Sequence, residues 1–468
     1  MASAFHVENF GCRAARADGE AVNERLRSAG LVEGQPDAAG VVIVNTCSVT
    51  AEADRSARAF IRRVHRVNPE AQILVTGCYA QRAPEELAIL PGVAAVVGNS
   101  HKALAPAIAM DLVRGTGLGS GVETLAGLVP IRSLLSGNGA PIWVDDHFAH
   151  SFLEEAQLIP GSQTRPNLKI QEGCSNRCTF CVIPQTRGSS RSLAAAAVLR
   201  QVAGFVAAGG KELVLSGINL GRWGRDLAPE AGHPSPSLPK LLRRIFRETE
   251  LPLLRLSSIE PMDWDADLVS VMREFGGTRL ARHAHLPLQS GCDAVLRRMH
   301  RRYRPWHYAE KAAALIEAAG PELTLGADVM VGFPGESDRE FEETCAFIRA
   351  LPFGYLHLFP FSPRPGTRGW SLHAESPVPA KVVEERMADL RALSIEKSET
   401  HRRLFVGREV DAITLHTPPA IQTLGRTTAL TENFLPAEIE ARTPANELVR
   451  LRVTGLMADH TLIAVSCS

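Results

Sequence analysis

The chain has 468 residues, with 51 Lys+Arg against 51 Asp+Glu, 45% hydrophobic residues and nine cysteines. That length supports two to four domains, and an apolar fraction this high with cancelling charges excludes a disordered chain. The zero net charge gives no global sign of a nucleic-acid or membrane partner, although a local basic patch is invisible in such a sum.

Residues 5 to about 105 alternate short apolar runs (FHVENFGC, VVIVNTCSV, QILVTGCYAQ, VAAVVGN) with polar helical stretches (EAVNERLRSAG, DRSARAFIRRVHRV, PEELAIL). This βαβ rhythm predicts an α/β domain over 1–105 with a parallel sheet and crossover helices. Cys12, Cys47 and Cys78 each follow an apolar strand, 35 and 31 residues apart, so each sits one βαβ unit after the last. The carboxyl ends of parallel strands share one rim, where open α/β sheets bind ligands, so three thiols there would converge. Three unrelated core cysteines are the alternative; a Gly or Thr before each, at the same structural phase, favours convergence.

Residues 106–165 turn Gly/Pro-rich and read as a linker or insertion, in which LVPIRSLL and IWVDD could pair as a hairpin. Over 166–400 the α/β rhythm resumes. About six strands, from LKIQ through KELVLSGINL, LLRLSSIEP, HAHLPLQSG and LTLGADVMVGFPG to YLHLFPFS, are separated by helices and predict a partial (β/α)6 barrel with its active face at the strand carboxyl ends. Residues 401–468 read as short strands with turns, a small OB-like β-barrel. Seven arginines and seven acidic residues between Thr400 and Ser468 leave RNA binding and structural capping both open for it.

The first twenty residues lack the apolar core of a signal peptide, and the most apolar stretch, residues 193–210, is broken by Arg200 and Gln201. A cytoplasmic protein with no membrane partner is expected. In a reducing cytoplasm the cysteines are then ligands, redox groups or core residues rather than a disulfide framework. Cys174, Cys178 and Cys181 form a CxxxCxxC run directly after the first barrel strand. Three thiolates so spaced can bind three irons of a [4Fe–4S] cluster and leave the fourth open. A zinc knuckle is the bland alternative, but zinc wants four ligands and no His lies close by in sequence. Cys292, Cys345 and Cys467 match no ligand motif.

The CxxxCxxC run resembles the signature of the radical S-adenosylmethionine (SAM) superfamily. Asn-Phe-Gly-Cys12, Asn-Thr-Cys47-Ser-Val-Thr, Thr-Gly-Cys78, Lys169-Ile-Gln-Glu-Gly-Cys174, Ile-Pro184-Gln-Thr-Arg187-Gly188, His285-Leu-Pro-Leu-Gln-Ser-Gly291 and Val331-Gly-Phe-Pro-Gly335, in this order, resemble a methylthiotransferase. The resemblance implies that Cys12, Cys47 and Cys78 hold an auxiliary, sulfur-donating [4Fe–4S] cluster. It implies that Cys174, Cys178 and Cys181 hold the radical-generating one, and that the C-terminal barrel is an RNA-binding TRAM domain. The implied reaction places sulfur and a methyl group on an adenosine beside the tRNA anticodon, using SAM and an electron donor such as a flavodoxin or ferredoxin. Residues before and after the first two cysteines look most like the threonylcarbamoyladenosine branch (position 37, C2). The isopentenyladenosine branch usually has Gln-Met-Asn after its first cysteine, where this chain has Arg-Ala-Ala.

By the same resemblance Phe180 lies beside the cofactor's adenine, and Ser216, Gly217 and Asn219 contact its methionine amino group. Ser257, Glu260 and Gln289 sit at later strand ends, where they bind ribose or carboxylate or make ordinary loop hydrogen bonds. Two basic stretches are candidates for RNA phosphate: Arg55, Arg58 and Arg62 on one helical face, and Arg297, Arg298, Arg301, Arg302 and Arg304 with Tyr303 and Trp306 among them. A solvated charged face is the alternative. A non-catalytic iron–sulfur RNA-binding protein is the rival from another class, against which the intact CxxxCxxC argues.

Overall fold

The computed structural model describes residues 4–115, 139–148, 164–229 and 235–467. These form two compact units, one of Met1–Gln157, Glu172–Arg191 and Ser362–Thr367, the other of Leu158–Gln171, Ser192–Phe361 and Arg368–Ser468.

The first unit is built on a parallel sheet of order β2-β1-β3-β4-β5-β6, with β1 Ala4–Asn9, β2 Val32–Glu33, β3 Val41–Thr46, β4 Gln72–Gly77, β5 Val93–Gly98 and β6 Ile142–Trp143. The central strands are apolar at nearly every position because both faces are covered; β3 is buried throughout. Helix α1 (Arg13–Ser28) and α5 (Ala105–Arg114) bury Val22, Leu26, Ile108 and Ala109 on one face. Helix α2 (Ala51–Val67), α3 (Cys78–Arg82) and α4 (Pro84–Ala88) bury Phe60, Ile61, Tyr79 and Leu87 on the other. Within the segment IWVDD, Ile142–Trp143 extends the sheet in parallel beside Val96–Val97. Its proposed partner LVPIRSLL lies outside the described residues.

In the second unit six strands follow one another with helices between: β7 Asn167–Glu172, β9 Glu212–Gly217, β10 Leu253–Leu256, β11 His283–His285, β12 Thr324–Val331 and β13 Phe353–Pro360. A two-residue strand, β8 (Arg191–Ser192), adds an edge. They lie in two sheets, β10-β9-β7-β8 and β11-β12-β13, so the expected barrel is interrupted between β10 and β11. The reason is local. Pro287 cannot donate to a ladder, and β11 stops after three residues. Among the described residues the break is crossed by an isolated bridge, with Leu254 N donating to Arg279 O (2.8 Å) and Ala281 N to Leu254 O (2.9 Å), and by Ile259 N to His285 O (3.0 Å).

The last segment forms a closed five-stranded barrel of order β14-β15-β16-β18-β17, from β14 (Glu409–Thr414), β15 (Thr427–Thr431), β16 (Pro436–Ile439), β17 (Leu448–Leu456) and β18 (Leu462–Ser466). Ile439, Leu451, Leu462 and Ala464 fill it. It packs under the amino ends of the central strands. Arg282 pairs with Glu432 (2.7 Å), and Asn433 Nδ2 donates to Glu322 O (3.1 Å). No helix among the described residues is long and apolar enough to cross a membrane.

Candidate metal centres and their surroundings

Thr46 and Gly77 face each other at the carboxyl ends of β3 and β4, so Cys47 and Cys78, the next residues, leave the sheet side by side. Cys12 is the N-cap of α1, three residues beyond β1. The sheet order reverses direction between β1 and β3, and such switch points are where open α/β sheets bind ligands. Gly11 lets the chain approach: at φ +111°, a Cβ there would lie 2.6 Å from Cys47 Cβ. Helix α2 carries the next anchor. Thr50 Oγ1 caps it by accepting from Ala53 N (3.2 Å). Arg82 ties Ser48 Oγ (2.6 Å) to Asp54 (2.9 Å), which fixes the loop behind Cys47.

Burial, with Cys78 and Cys12 nearby, pushes the Cys47 thiol up to about 12. Cys47 and Cys78 are buried and Cys12 is exposed at the edge of the trio; thiols so grouped are a good ligand set for a cation that displaces their protons. Backbone and side-chain donors already point at the sulfurs: Val49 N at Cys47 Sγ (3.5 Å) and Asn99 Nδ2 and Arg187 Nε at Cys78 Sγ (3.3 Å each). Behind them lies a fully buried charge network. Arg187 Nη1 donates to Glu172 Oε1 (2.6 Å) and Asp18 Oδ2 (3.1 Å), and Lys102 Nζ to Asp18 Oδ2 (2.7 Å) and Glu172 Oε2 (3.2 Å). Burial works against the Arg187 charge, yet Cys78, Glu172 and Asp18 hold its pKa well above the ordinary value.

The second trio occupies the loop between β7 and helix α6 (Ile183–Arg187). Cys174 N donates to Gly188 O (3.0 Å), Cys181 N to Cys178 O (3.1 Å), and Asn176 N to Cys174 Sγ (3.4 Å). All three thiols are half-buried, as is Phe180. None of the nine cysteines is in a disulfide among the described residues. Two trios with N–H donors on sulfur suit thiolate ligation of iron.

Within the second unit, Ser216 and Gly217 end β9, Asn219 lies two residues beyond, and Asn219 N donates to Gln171 Oε1 (2.6 Å). Ser257 follows β10, and Gln289 sits at φ +63° beyond β11. The buried Ser216 Oγ, Ser257 Oγ and Gln289 Oε1 have no hydrogen-bond partner among the described residues, the mark of a surface that a polar ligand completes. Glu260 is different: both its oxygens accept from Arg301 Nη2 (2.8 and 2.6 Å).

That pairing also divides the second basic run. Arg301 is buried on Glu260. Arg298 is bidentate with Glu340 (2.7 and 2.8 Å), which draws that carboxyl down to about 2. Arg297 and Arg304 share Asp293 (2.8 and 3.1 Å), and Arg302 lies 3.8 Å from the Asp263 carboxylate. Tyr303 is buried; Trp306 is exposed. On α2, Arg55 and Arg62 are exposed and Arg58 Nη1 donates to Tyr79 OH (2.5 Å).

Two groupings escaped sequence reasoning. One is the Arg187–Glu172–Asp18–Lys102 network, whose one clue is charge inside apolar surroundings, as at Lys102 in HKALAPAIAM. The other lines the central strands: Asp328 lies between His285 (3.1 Å) and His357 (3.3 Å), with Tyr355 OH on His285 Nδ1 (2.9 Å) and His283 Nε2 (2.7 Å). Burial raises Asp328, but the two imidazoles outweigh it and hold the carboxyl below its ordinary range. Alternate polar positions in otherwise apolar strands (His283/His285, Tyr355/His357) were the available signal.

A partial parallel barrel whose first strand runs into a CxxxCxxC loop defines the radical SAM class, and the family model described as the Radical SAM superfamily matches residues 168–348. The model described as Uncharacterized protein family UPF0004 matches residues 4–98. The chain is 32% identical to the threonylcarbamoyladenosine tRNA methylthiotransferase MtaB of Aquifex aeolicus, over 95% of this chain and 99% of that one. It is 34% identical to the protein of the same name from Bacillus subtilis, over 88% and 84%. The tRNA-2-methylthio-N(6)-dimethylallyladenosine synthase of Sorangium cellulosum is 33% identical over 86% and 80%. Among solved structures, the radical SAM methyltransferase TsrM of Kitasatospora setae aligns with TM-score 0.56 and 14% identity, over 77% of this chain and 75% of that one, a likeness of fold. The chain belongs to the radical SAM methylthiotransferase family.

Proposed function

We propose that the protein inserts sulfur and a methyl group at C2 of N6-threonylcarbamoyladenosine 37 in the anticodon loop of tRNA. Two cysteine trios on one chain, together with similarity to a threonylcarbamoyladenosine enzyme over 95% of its length, carry this reading. Cys174, Cys178 and Cys181 hold one [4Fe–4S] cluster and leave an iron for SAM; Cys12, Cys47 and Cys78 hold the second. When bound, these groups supply a carbon radical able to take hydrogen from an unactivated C–H bond, and the sulfur that replaces it, chemistry beyond side-chain acids, bases and nucleophiles.

The chain's own residues bind and orient. Ser216, Ser257 and Gln289 offer unpartnered polar atoms to the cofactor, and Phe180 offers a ring to its adenine. Gly217 and Asn219 shape the turn that Gln171 holds. Glu260, paired with Arg301, acts by holding that loop rather than by direct contact. The exposed Arg62 and Arg302 serve as phosphate contacts, with Arg55 beside them paired to Glu52, and the C-terminal barrel acts as a TRAM domain. A cytoplasmic location and a flavodoxin- or ferredoxin-class electron donor complete the reading.

Dimethylallyladenosine is the second reading, favoured by the Sorangium relative. Mass spectrometry of tRNA nucleosides from a deletion strain separates the two: loss of the methylthio form of threonylcarbamoyladenosine supports the proposal, and loss of the dimethylallyl form overturns it. A non-catalytic iron–sulfur protein would bind about eight irons per chain yet release no 5′-deoxyadenosine on reduction with SAM.

A further inference from the structure

Arg187 leaves α6 six residues after Cys181, yet its side chain ends on the other trio. It is fully buried. Nη1 alone meets the acids, bridging Glu172 and Asp18. Nε and Nη2 share the opposite edge of the planar guanidinium, a fork suited to two acceptors. On that edge Nε donates to Cys78 Sγ at 3.3 Å, while Nη2 has no acceptor among the described residues. Lys102 already balances the two carboxylates together with Arg187, so two cations face two anions and the ion network needs nothing from the Nε edge. Asn99 repeats the pattern: its Nδ2 donates to Cys78 Sγ (3.3 Å) and also to Thr186 O (2.8 Å), the residue before Arg187.

We infer that Arg187 is a positioning residue for the sulfur-donating centre, with Nε on the Cys78 thiolate and Nη2 on an inorganic sulfide beside it, and that it raises the midpoint potential of that cluster. The inference rests on Cys12, Cys47 and Cys78 being the ligands. Reduction adds negative charge to the cluster, and a buried cation donating hydrogen bonds to its sulfurs stabilises the reduced form more than the oxidised one. Because Arg187 belongs to the segment that carries Cys174, Cys178 and Cys181, the same stretch of chain that holds the radical-generating centre also tunes the sulfur-donating one.

The test uses the full chain with Cys174, Cys178 and Cys181 changed to Ala, reconstituted anaerobically so that one cluster remains, and a redox titration followed by electron paramagnetic resonance. About four irons per chain are expected in this parent; none would overturn the ligand assignment and the inference with it. Arg187→Gln in that background is expected to lower the midpoint potential at unchanged iron content, with a smaller fall for Arg187→Lys and for Asn99→Ser. An unchanged potential in Arg187→Gln at full iron loading overturns the inference while leaving the ligand assignment standing. Should Arg187→Gln fail to load iron, Arg187→Lys decides: it keeps the charge and loses the fork, so a lowered potential supports the role and an unchanged one overturns it.

Discussion

Cys78 is placed by the residue before it. Gly77 sits at φ +99°, and a Cβ there would lie 2.3 Å from Thr46 O and 2.7 Å from Thr46 N, both backbone atoms that cannot turn aside. Gly77→Ala therefore strains the chain and pushes β4 off β3 where Cys47 and Cys78 emerge. The expected cost is about 3 kcal/mol from strain of this kind, read as a lower denaturation midpoint, with a loss of iron from the Cys12/Cys47/Cys78 set; a variant of native stability and full iron content would refute the account. The cysteines themselves were legible in sequence because strand-end phase and CxxxCxxC spacing are local patterns. Arg187 was not: it pairs with Asp18 across 169 positions, and only the folded sheet brings those charges together. Glu260 and Arg301 show the same limit from the other side. Each looked like a ligand group alone, and their partnership spans 41 positions.

At the scale of single elements, α2 and the long helix α14 (Ala380–Arg403) carry the clearest consequences. Helix α2 buries Ala57, Phe60, Ile61 and Val64 and turns Arg55, Arg62 and Arg66 to solvent, whereas Arg58, grouped with Arg55 and Arg62 from sequence, is half-buried on Tyr79. If that face meets phosphate, Arg62→Ala with Arg66→Ala should weaken tRNA binding for all sequences alike and reduce the slope of log K against log salt by about two, measured by filter binding or anisotropy across salt concentrations. An unaltered slope assigns the face to solvent. In the last turn of α14, His401 is buried with Nε2 2.8 Å from Thr324 Oγ1. Burial, with Arg402 adding to it, lowers this imidazole from 6.5 to about 4. The unfolded chain therefore binds a proton below pH 6.5 that the folded chain refuses until about pH 4, so stability falls as pH drops through that window, by about 3 kcal/mol at most. Denaturant melts between those pH values should show this slope in the native chain and lose it in His401→Gln.

For the whole molecule, the role of the C-terminal barrel turns on Arg255 of β10, which is fully buried. Its Nε donates to Glu212 Oε1 (2.7 Å) in β9 and its Nη2 to Thr431 O (3.2 Å) in β15. Phe434, held at φ +72°, lies under the same guanidinium and stacks on His283 at 4.4 Å. These contacts sit at the amino ends of the central strands, the face of such a barrel that serves stability and not chemistry. Capping and RNA binding, open alternatives from sequence because the segment's charges cancel, are thus separable by face: one side of the small barrel is committed to the central strands, and the rest is available to a partner. Arg255→Met removes the cation from Glu212, also fully buried, leaving its carboxylate with Arg165 at 3.6 Å. Breaking a buried pair on one side costs about 3–5 kcal/mol, and replacing both partners with apolar residues recovers most of it. The expected result is therefore a lowered melting temperature in Arg255→Met and near-native melting in Arg255→Met with Glu212→Leu. If the two barrels unfold as one body, hydrogen exchange in β14 to β18 should rise together with that in β9 and β10 in the single variant. Exchange that rises in the central strands alone would mean that the C-terminal barrel folds independently and that its dock is dispensable.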